Sequence, residues 1–339
     1  MNSLQKSTKT LLWIGIDVDS RNLVAASSQE GTAPQTFPRT PEGIESLLRW
    51  GRSLLGTVPH AALALAMEST GIYSQEVHRW VAEQDPSVTV HISNPKLMKD
   101  YLASRNPRRK TDADDALGIA AFARERNPAG TELPCPVRQA LRDLMRSRTT
   151  LVKHRDGLTN HQGTTNKEGR HQKILGKVLK QIAACIAELE KEALKIVRQN
   201  EALANDYATL EGIFGVGKIT ALVVLSELGD LRRFHSAKQL ACYCGMTPRI
   251  EQSGRHEKRP RLSKVGNPDV RRALYMAALA TIRHNKTAIA EAYEKLVERG
   301  MAKRNALVRV MRKILDQMYF LIKTGRPYEA IPQSKSAVV

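Results

Sequence analysis

Three short segments place acidic side chains where a site for a hard metal ion would need them: GIDVDS from Gly15, MESTGIY from Met67 and KTDADDA from Lys110. In each, a carboxylate falls at the expected end of a strand or in the first turn of a helix, giving Asp17, Glu68, Asp112 and Asp115. Cleaving a phosphodiester requires an activated oxygen nucleophile, a stabilised leaving oxygen and neutralisation of the extra charge on phosphorus. Two hard cations about 4 Å apart do all three, and they take oxygen ligands, mainly carboxylates. Asp17 ends an apolar run, where a charge is costly unless a cation such as Mg²⁺, or Mn²⁺ in its place, compensates it. Asp112 and Asp115 are three apart in a predicted helix and so occupy neighbouring positions on one face. Taken singly, each acid has a structural reading: Asp112 as an N-cap, Asp17 as the close of a strand, Glu68 as the partner of an arginine. Four in this order and these contexts favour a shared metal site. Asp19 and Asp114 are further acids without an assigned role, and Asp114 points to a different side of the helix from Asp112.

The elements that must carry these acids follow from hydrophobic period. LLWIGIDV reads as a buried strand and NLVAAS as its neighbour, and the turn-rich stretch after it has room for one short strand before a helix from Pro41 to Leu55. AALALAME reads as another buried strand, YSQEVHRWVAEQ as an amphipathic helix, SVTVHIS as a strand and PKLMKDYLASR as a helix opened by Pro95. Early strands followed by alternating helices and strands imply a mixed α/β sheet of the ribonuclease-H kind.

From about Pro136 to Leu210 the pattern becomes helical. Apolar residues recur every three or four positions in LRDLMRSRTTLVKHRDGL and in ILGKVLKQIAACIAELEKEALKIV, separated by the polar joint TNHQGTTNKEGRHQ. Two long helices fit this, either simply exposed or associating with a second copy. In GIFGVGKITA the glycines Gly212, Gly215 and Gly217 break one helix and Thr220 begins the next. The arrangement looks like a helix-hairpin-helix whose backbone N–H groups, with Gly215, Gly217 and Lys218, contact phosphate; the plainer reading is a tight connection. No Walker pattern accompanies Lys218. The block PRIEQSGRHEKRPRLSKVGN reads as an exposed loop in which Arg255, Lys258, Arg259, Arg261 and Lys264 concentrate positive charge, followed by a helix opened by Pro268, two further helices and a frayed tail. These shifts divide the chain into residues 1–130, 131–205 and 206–330.

Composition narrows the partner. The 339 residues carry 53 Lys+Arg against 34 Asp+Glu, a formal charge of +19, which attracts polyanions, of which nucleic acid is the commonest. No run approaches eighteen apolar residues and the polar opening does not read as a signal peptide, so the expectation is a cytoplasmic, nucleoid-associated protein with no membrane partner. Cys135, Cys185, Cys242 and Cys244 form no disulfide framework, and Cys242 and Cys244 with His256 fit no common zinc spacing.

Taken together, GIDVDS, MESTGIY, KTDADDA, GIFGVGKITA and SGRHEKRPRLSKVGNPDVRRAL, in that order and spanning nearly the whole chain, resemble the DEDD-type insertion-sequence transposases, a family that includes the Piv-like DNA invertases. The resemblance implies a RuvC-like N-terminal domain with the four acids as metal ligands, a helical coiled-coil region and an α-helical C-terminal transposase domain. It further implies that the serine of the S-G motif, here Ser253, is the nucleophile on DNA, with Arg255, Arg259, Arg261 and Lys264 beside it. Donor and target double-stranded DNA, a structured non-coding bridge RNA from the element's flank, and a homo-oligomer, dimer or tetramer, are the implied partners. In such assemblies the RuvC-like domain of one subunit meets the serine domain of another. Family members often carry a lysine soon after the first aspartate; here Asp19 and Ser20 occupy that stretch.

Other readings make different use of the same residues. A RuvC-type Holliday-junction nuclease, cutting with water, explains the acids and the charge but leaves Ser253 as a serine-glycine turn. GIDV also opens sugar kinases and actin-like ATPases, yet DVDSRN lacks the glycine of their phosphate loop. A non-catalytic nucleic-acid binder would have no need of complete motifs.

Overall fold

A computed structural model describes residues 11–56, 61–105, 111–133, 135–249, 252–253, 256–257, 261–263, 265–283, 287–326 and 328. The chain divides into two compact units, Met1–Leu133 and Pro134–Val339.

In the first unit, five strands, β1 (Leu11–Val18), β2 (Asn22–Ser27), β3 (Gln35–Pro38), β4 (Ala62–Glu68) and β5 (Thr89–Ser93), form one sheet in the order β3-β2-β1-β4-β5. The first three are antiparallel neighbours, while β4 runs parallel to β1 and β5 parallel to β4. This mixed sheet is of the ribonuclease-H kind expected from the pattern. Alternation along β1 sorts the two faces. Ile14, Ile16 and Val18 join Leu65 and Met67 in a core closed by Ile44, Leu47 and Leu48 of α1 (Pro41–Leu55) and Val77 and Val81 of α2 (Ile72–Gln84). On the opposite face Trp13, Ala64 and Ala66 pack with Met98 of α3 (Pro95–Arg105) and Ile119 and Phe122 of α4 (Asp112–Arg126).

Gly15 decides how closely α4 approaches. A Cβ there would stand 2.2 Å from the Ala120 nitrogen and 2.3 Å from the Ala116 oxygen, so the helix backbone lies directly on the strand. No other residue type permits that contact.

Among its described residues the second unit is helical apart from two short two-stranded pairings and one 3₁₀ turn. α5 (Pro136–Thr164) and α6 (Arg170–Arg198) form an antiparallel pair joined by Thr165–Gly169, tied by an Arg148–Glu190 ion pair at 2.7 Å. The joint is shorter than the polar stretch implied, because helix continues through Thr159, whose hydroxyl donates back to the Arg155 carbonyl at 2.8 Å, and on to Thr164. α7 (Glu201–Glu211) and α8 (Lys218–Leu228) follow. Every residue of α8 from Thr220 to Leu228 is buried, as expected of a helix enclosed on all sides. Around it lie α9 (Ala237–Tyr243), α10 (Pro268–Arg283), α11 (Ala288–Glu298) and α12 (Lys303–Thr324), whose apolar faces share one core.

The segment expected to be loop up to Asn267 is instead partly a nested ribbon. β6 (Pro248–Arg249) pairs with β9 (Arg261–Leu262), and β7 (Gln252–Ser253) with β8 (His256–Glu257), both antiparallel. Glycine and proline content signalled turns, and short strands between turns have too few residues to show a period. Among the described residues no helix is long and apolar enough to cross a membrane.

Candidate functional site

Asp17 lies on the α4 face of the sheet, the face of Trp13 and Gly15. The β1–β4 register pairs Gly15 with Ala66 and Ile16 with Met67, so the next residues in step are Asp17 and Glu68. On α4, the stripe 112, 116, 120 includes the two residues whose backbone rests on Gly15. Asp112 lies four residues before Ala116, about 6.0 Å along the helix, and Asp17 two residues beyond Gly15, about 6.6 Å along the strand. Strand register and helix docking thus bring the acids to one end of the sheet.

The electrostatics record that proximity. The half-buried Asp17 carboxyl is pushed up to about 6, first by burial and then by the charges of Asp112, Asp115, Glu68 and Asp19. Among the described residues, however, no three His, Cys, Asp or Glu side chains are grouped so that they could hold a metal ion as they stand. Like charges at this range repel, and a bound cation would offset that repulsion. The donor set is carboxylate oxygen throughout, which suits Mg²⁺ or Mn²⁺ rather than a softer metal. Two buried hydroxyls, Thr70 Oγ1 and Ser93 Oγ, have no hydrogen-bond partner; Ser93 is level with Glu68 in the sheet and Thr70 follows it by two residues. Carboxylates beside two unsatisfied hydroxyl oxygens fit a divalent cation.

Asp114 and Asp112 have distinct parts. The N-cap of α4 is Thr111, not Asp112: its Oγ1 accepts from the Asp114 N–H at 3.1 Å and donates to the Asp114 carboxylate at 2.8 Å. That reciprocal cap engages Asp114 and leaves Asp112 exposed in the first turn. Lys110 lies outside the described residues. Gly15 is the residue that motif reading passed over, and its signal was present: a glycine inside an apolar strand marks close approach by another backbone.

In the second unit, Ser253 pairs with His256 across β7 and β8, at the tip of the ribbon. Arg261 is in β9, paired with Arg249. Arg255, Lys258, Arg259 and Lys264 lie outside the described residues. The ribbon's exit is anchored at Asn267, whose Oδ1 accepts from the Asp269 and Val270 N–H groups at 2.9 and 3.1 Å and so caps α10. Its amide donates at 2.6 Å to Glu227, a buried carboxylate of α8 that also accepts from Arg146 of α5 at 2.8 and 3.0 Å. Sequence gave no sign of this network, since nothing in it has a motif spacing.

The three glycines between α7 and α8 are not equivalent. Gly215 has φ +85°, and a Cβ there would meet Thr281 Oγ1 at 2.1 Å, so it seats the turn on α10. Gly217 is the exposed N-cap of α8, and the helix starts at Lys218 rather than Thr220. Lys218 pairs with Glu190 at 3.3 Å. Of the cysteines, all four are free; Cys244 is buried, with its thiol pushed up to about 12 by burial, whereas Cys242 is exposed.

Comparison with known proteins defines the class. Residues 14–164 match a family model described as "Transposase", of the DEDD type found in IS110 elements, and residues 207–294 match "Transposase IS116/IS110/IS902 family". The chain belongs to this family of insertion-sequence transposases and DNA invertases, and family membership implies DNA recombination. It is similar to the "Pilin gene-inverting protein" of Moraxella bovis, 27% identical over 94% of this chain and 97% of that one. It is also 31% identical to the "Transposase for insertion sequence element IS1111A" of Coxiella burnetii, over 59% of this chain and 62% of the relative. Among solved structures, "Thermus thermophilus RuvC structure" covers 35% of this chain and 99% of its own at 18% identity, with a TM-score of 0.25.

Proposed function

We propose that this chain is a Mg²⁺-dependent recombinase that moves an insertion element by cutting and rejoining double-stranded DNA. Asp17, Glu68, Asp112 and Asp115 are the metal ligands in this reading, with Mn²⁺ an alternative ion. The observation that carries it is the Asp17 carboxyl, pushed up to about 6 by burial and by four neighbouring acids: without compensating charge, such a cluster is a liability to the fold. Bound ions would neutralise developing charge on the scissile phosphate.

Ser253 is the nucleophile in the same reading. Its Oγ forms a bond to phosphorus as the bond from phosphorus to a sugar oxygen breaks; the serine proton leaves and the sugar oxygen takes one up. A DNA hydroxyl then attacks the phosphoserine, the Oγ–P bond breaks, and strand continuity is restored with no external energy source. Its neighbourhood in the sequence, with Arg255, Arg259, Arg261 and Lys264 close by along the chain, suits a group that acts on DNA. The N–H groups at Gly217 and Lys218, the first positions of α8, are suited to a backbone phosphate, while Gly215 keeps that turn in shape. Target choice is read here as guided by a structured bridge RNA pairing with donor and target, and the active species as a homo-oligomer, dimer or tetramer. The apolar seam along α5 and α6, with Ile174 62% and Val178 41% exposed, supports association of copies through that hairpin.

The deciding experiment incubates purified protein, element-flank RNA and donor and target duplexes with Mg²⁺, then resolves products under denaturing conditions. Joined strands and a protein–DNA adduct that disappears in Ser253→Ala are expected. Cleavage that persists in Ser253→Ala while Asp17→Asn abolishes it would replace this reading with a RuvC-like, Holliday-junction-type nuclease using water.

A further inference from the structure

An open groove of about 510 Å³ lies among α10, α11 and α12. It is lined by Tyr275 and Tyr293, by Lys303 and Arg304, and otherwise by aliphatic side chains. The volume is in the range of pockets that hold a drug-sized molecule, and so has room for a nucleotide. On α10 the lining positions 275, 279 and 282 recur at helical spacing, so one face of that helix supplies three of them. The same helix buries Val270, Ala273, Leu274, Ala277, Ala278 and Thr281. Tyr275 is therefore outside the face that holds the unit together, and it remains 42% exposed.

The cations tell what such a groove would accept. Lys303 and Arg304 are exposed, and neither is in an ion pair among the described residues. They occupy the first two positions of α12, whose N-cap Ala302 supplies no side-chain cap. Two positive side chains at the positive end of a helix repel the dipole, an arrangement that an anion relieves. Aromatic faces next to unpaired cations are the combination by which proteins hold an unstacked base and its phosphate. A duplex offers phosphate there but no free base face.

We propose that this groove binds a single-stranded stretch of nucleic acid, with an unpaired base stacked on Tyr275 or Tyr293 and the adjoining phosphate held by Lys303 and Arg304. The inference rests on the chain's handling nucleic acid, but not on the acidic cluster or on Ser253. A self-associating surface is the competing use of the same groove, and it gives no account of the two unpaired cations.

The test is fluorescence anisotropy with the full chain and three labelled probes, a 12-mer of oligo(dT), a 12-mer of oligo(rU) and a mixed-sequence duplex. Tyr275→Leu and Tyr293→Leu should each weaken a single-stranded probe about 5- to 100-fold, the range for losing one stacked base, with duplex affinity within about twofold. Tyr275→Phe, which keeps the ring, should bind as the parent does. Lys303→Gln with Arg304→Gln should flatten the salt dependence of single-strand binding by about 1.4 in log–log slope. Loss on the RNA probe alone, the DNA probe alone, or both identifies the strand and supports the proposal. Equal losses on duplex, or none on either single strand, overturn it, as does a shift in oligomeric mass with single-strand affinity unchanged. If the chain binds no probe, the reading of function falls with it; if it binds and the groove variants are silent, only this inference falls. Should a leucine variant melt early, photocrosslinking of the parent to 5-iodouracil oligomers decides: crosslinks at Tyr275 or Tyr293 are expected, and crosslinks confined to other residues overturn the groove.

Discussion

The acidic cluster and the serine ribbon are held in opposite ways. Asp17 and Glu68 end long strands of a five-stranded sheet, and Asp112 and Asp115 begin a helix laid on that sheet through Gly15. Ser253 stands in a strand of two residues, in a ribbon that leads to Asn267, where the chain is fastened to Glu227. A group that must hold ions at fixed separation gains from rigid elements, because small displacements weaken coordination steeply. The nucleophile proposed in the ribbon must instead reach a phosphate on DNA. The contrast also bears on stability, since burial and neighbouring negative charge raise the Asp17 carboxyl.

That contrast breaks first, and by most, at Ser253. Ser253→Ala should lower strand joining by about 10⁴-fold or more, the scale for removing a covalent nucleophile, without lowering the melting temperature to match; a gel assay beside a melting curve checks both. Asp17→Asn should lower cleavage about a thousandfold, since it removes charge at the metal site, yet raise stability when no divalent ion is present. The direction follows from linkage. Folding raises this carboxyl from 3.8 to about 6, so the native state binds the proton more tightly, and the stability this supplies is present below pH 4 and lost as pH rises through 6. Discounted for solvent at a half-exposed group, the substitution should gain about 1–2 kcal/mol at pH 7.5 and nothing near pH 3.5. Adding Mg²⁺ should raise the melting temperature of the parent and not of the variant. Equal Mg²⁺ shifts in both would remove Asp17 from the metal site.

Gly15→Val sharpens the comparison from the other side, because it should damage fold and activity together. Pushing α4 off β1 is expected to cost about 3 kcal/mol or more, the upper range for overpacking, and to end metal-dependent stabilisation, measured by denaturant unfolding with and without Mg²⁺. An unchanged unfolding midpoint would show that the helix can be displaced without cost. The smallest effect is expected at Lys218→Ala. Losing one proposed phosphate contact should reduce the salt slope of duplex binding by about 0.9, with stability little changed, because Glu190 keeps its pair with Arg148.

Much of the first unit was legible in its residues, for a physical reason. Its main strands are apolar runs bounded by turns, and prolines open α1 and α3, so a helix from about Pro41 to Leu55 and one over Pro95–Arg105 agree with the observed elements. The second unit was legible only in its long helices. α8 carries no polar face from which to infer its surroundings, and the ribbon's strands are too short to be periodic.

By its order of residues alone, the chain determined the main strands of the first unit and the long helices, where its carboxylates fall within them, and that its excess of 19 positive charges suits a polyanion. Only the tertiary structure decided that Asp17 and Glu68 stand level and that α4 can descend far enough to bring Asp112 and Asp115 into their field. It likewise decided that three separate helices share a groove with two tyrosines and two cations. Local pattern reports what one element buries; strand register, helix docking and helix triads depend on contacts between residues tens of positions apart, for which a single sequence has no period to read.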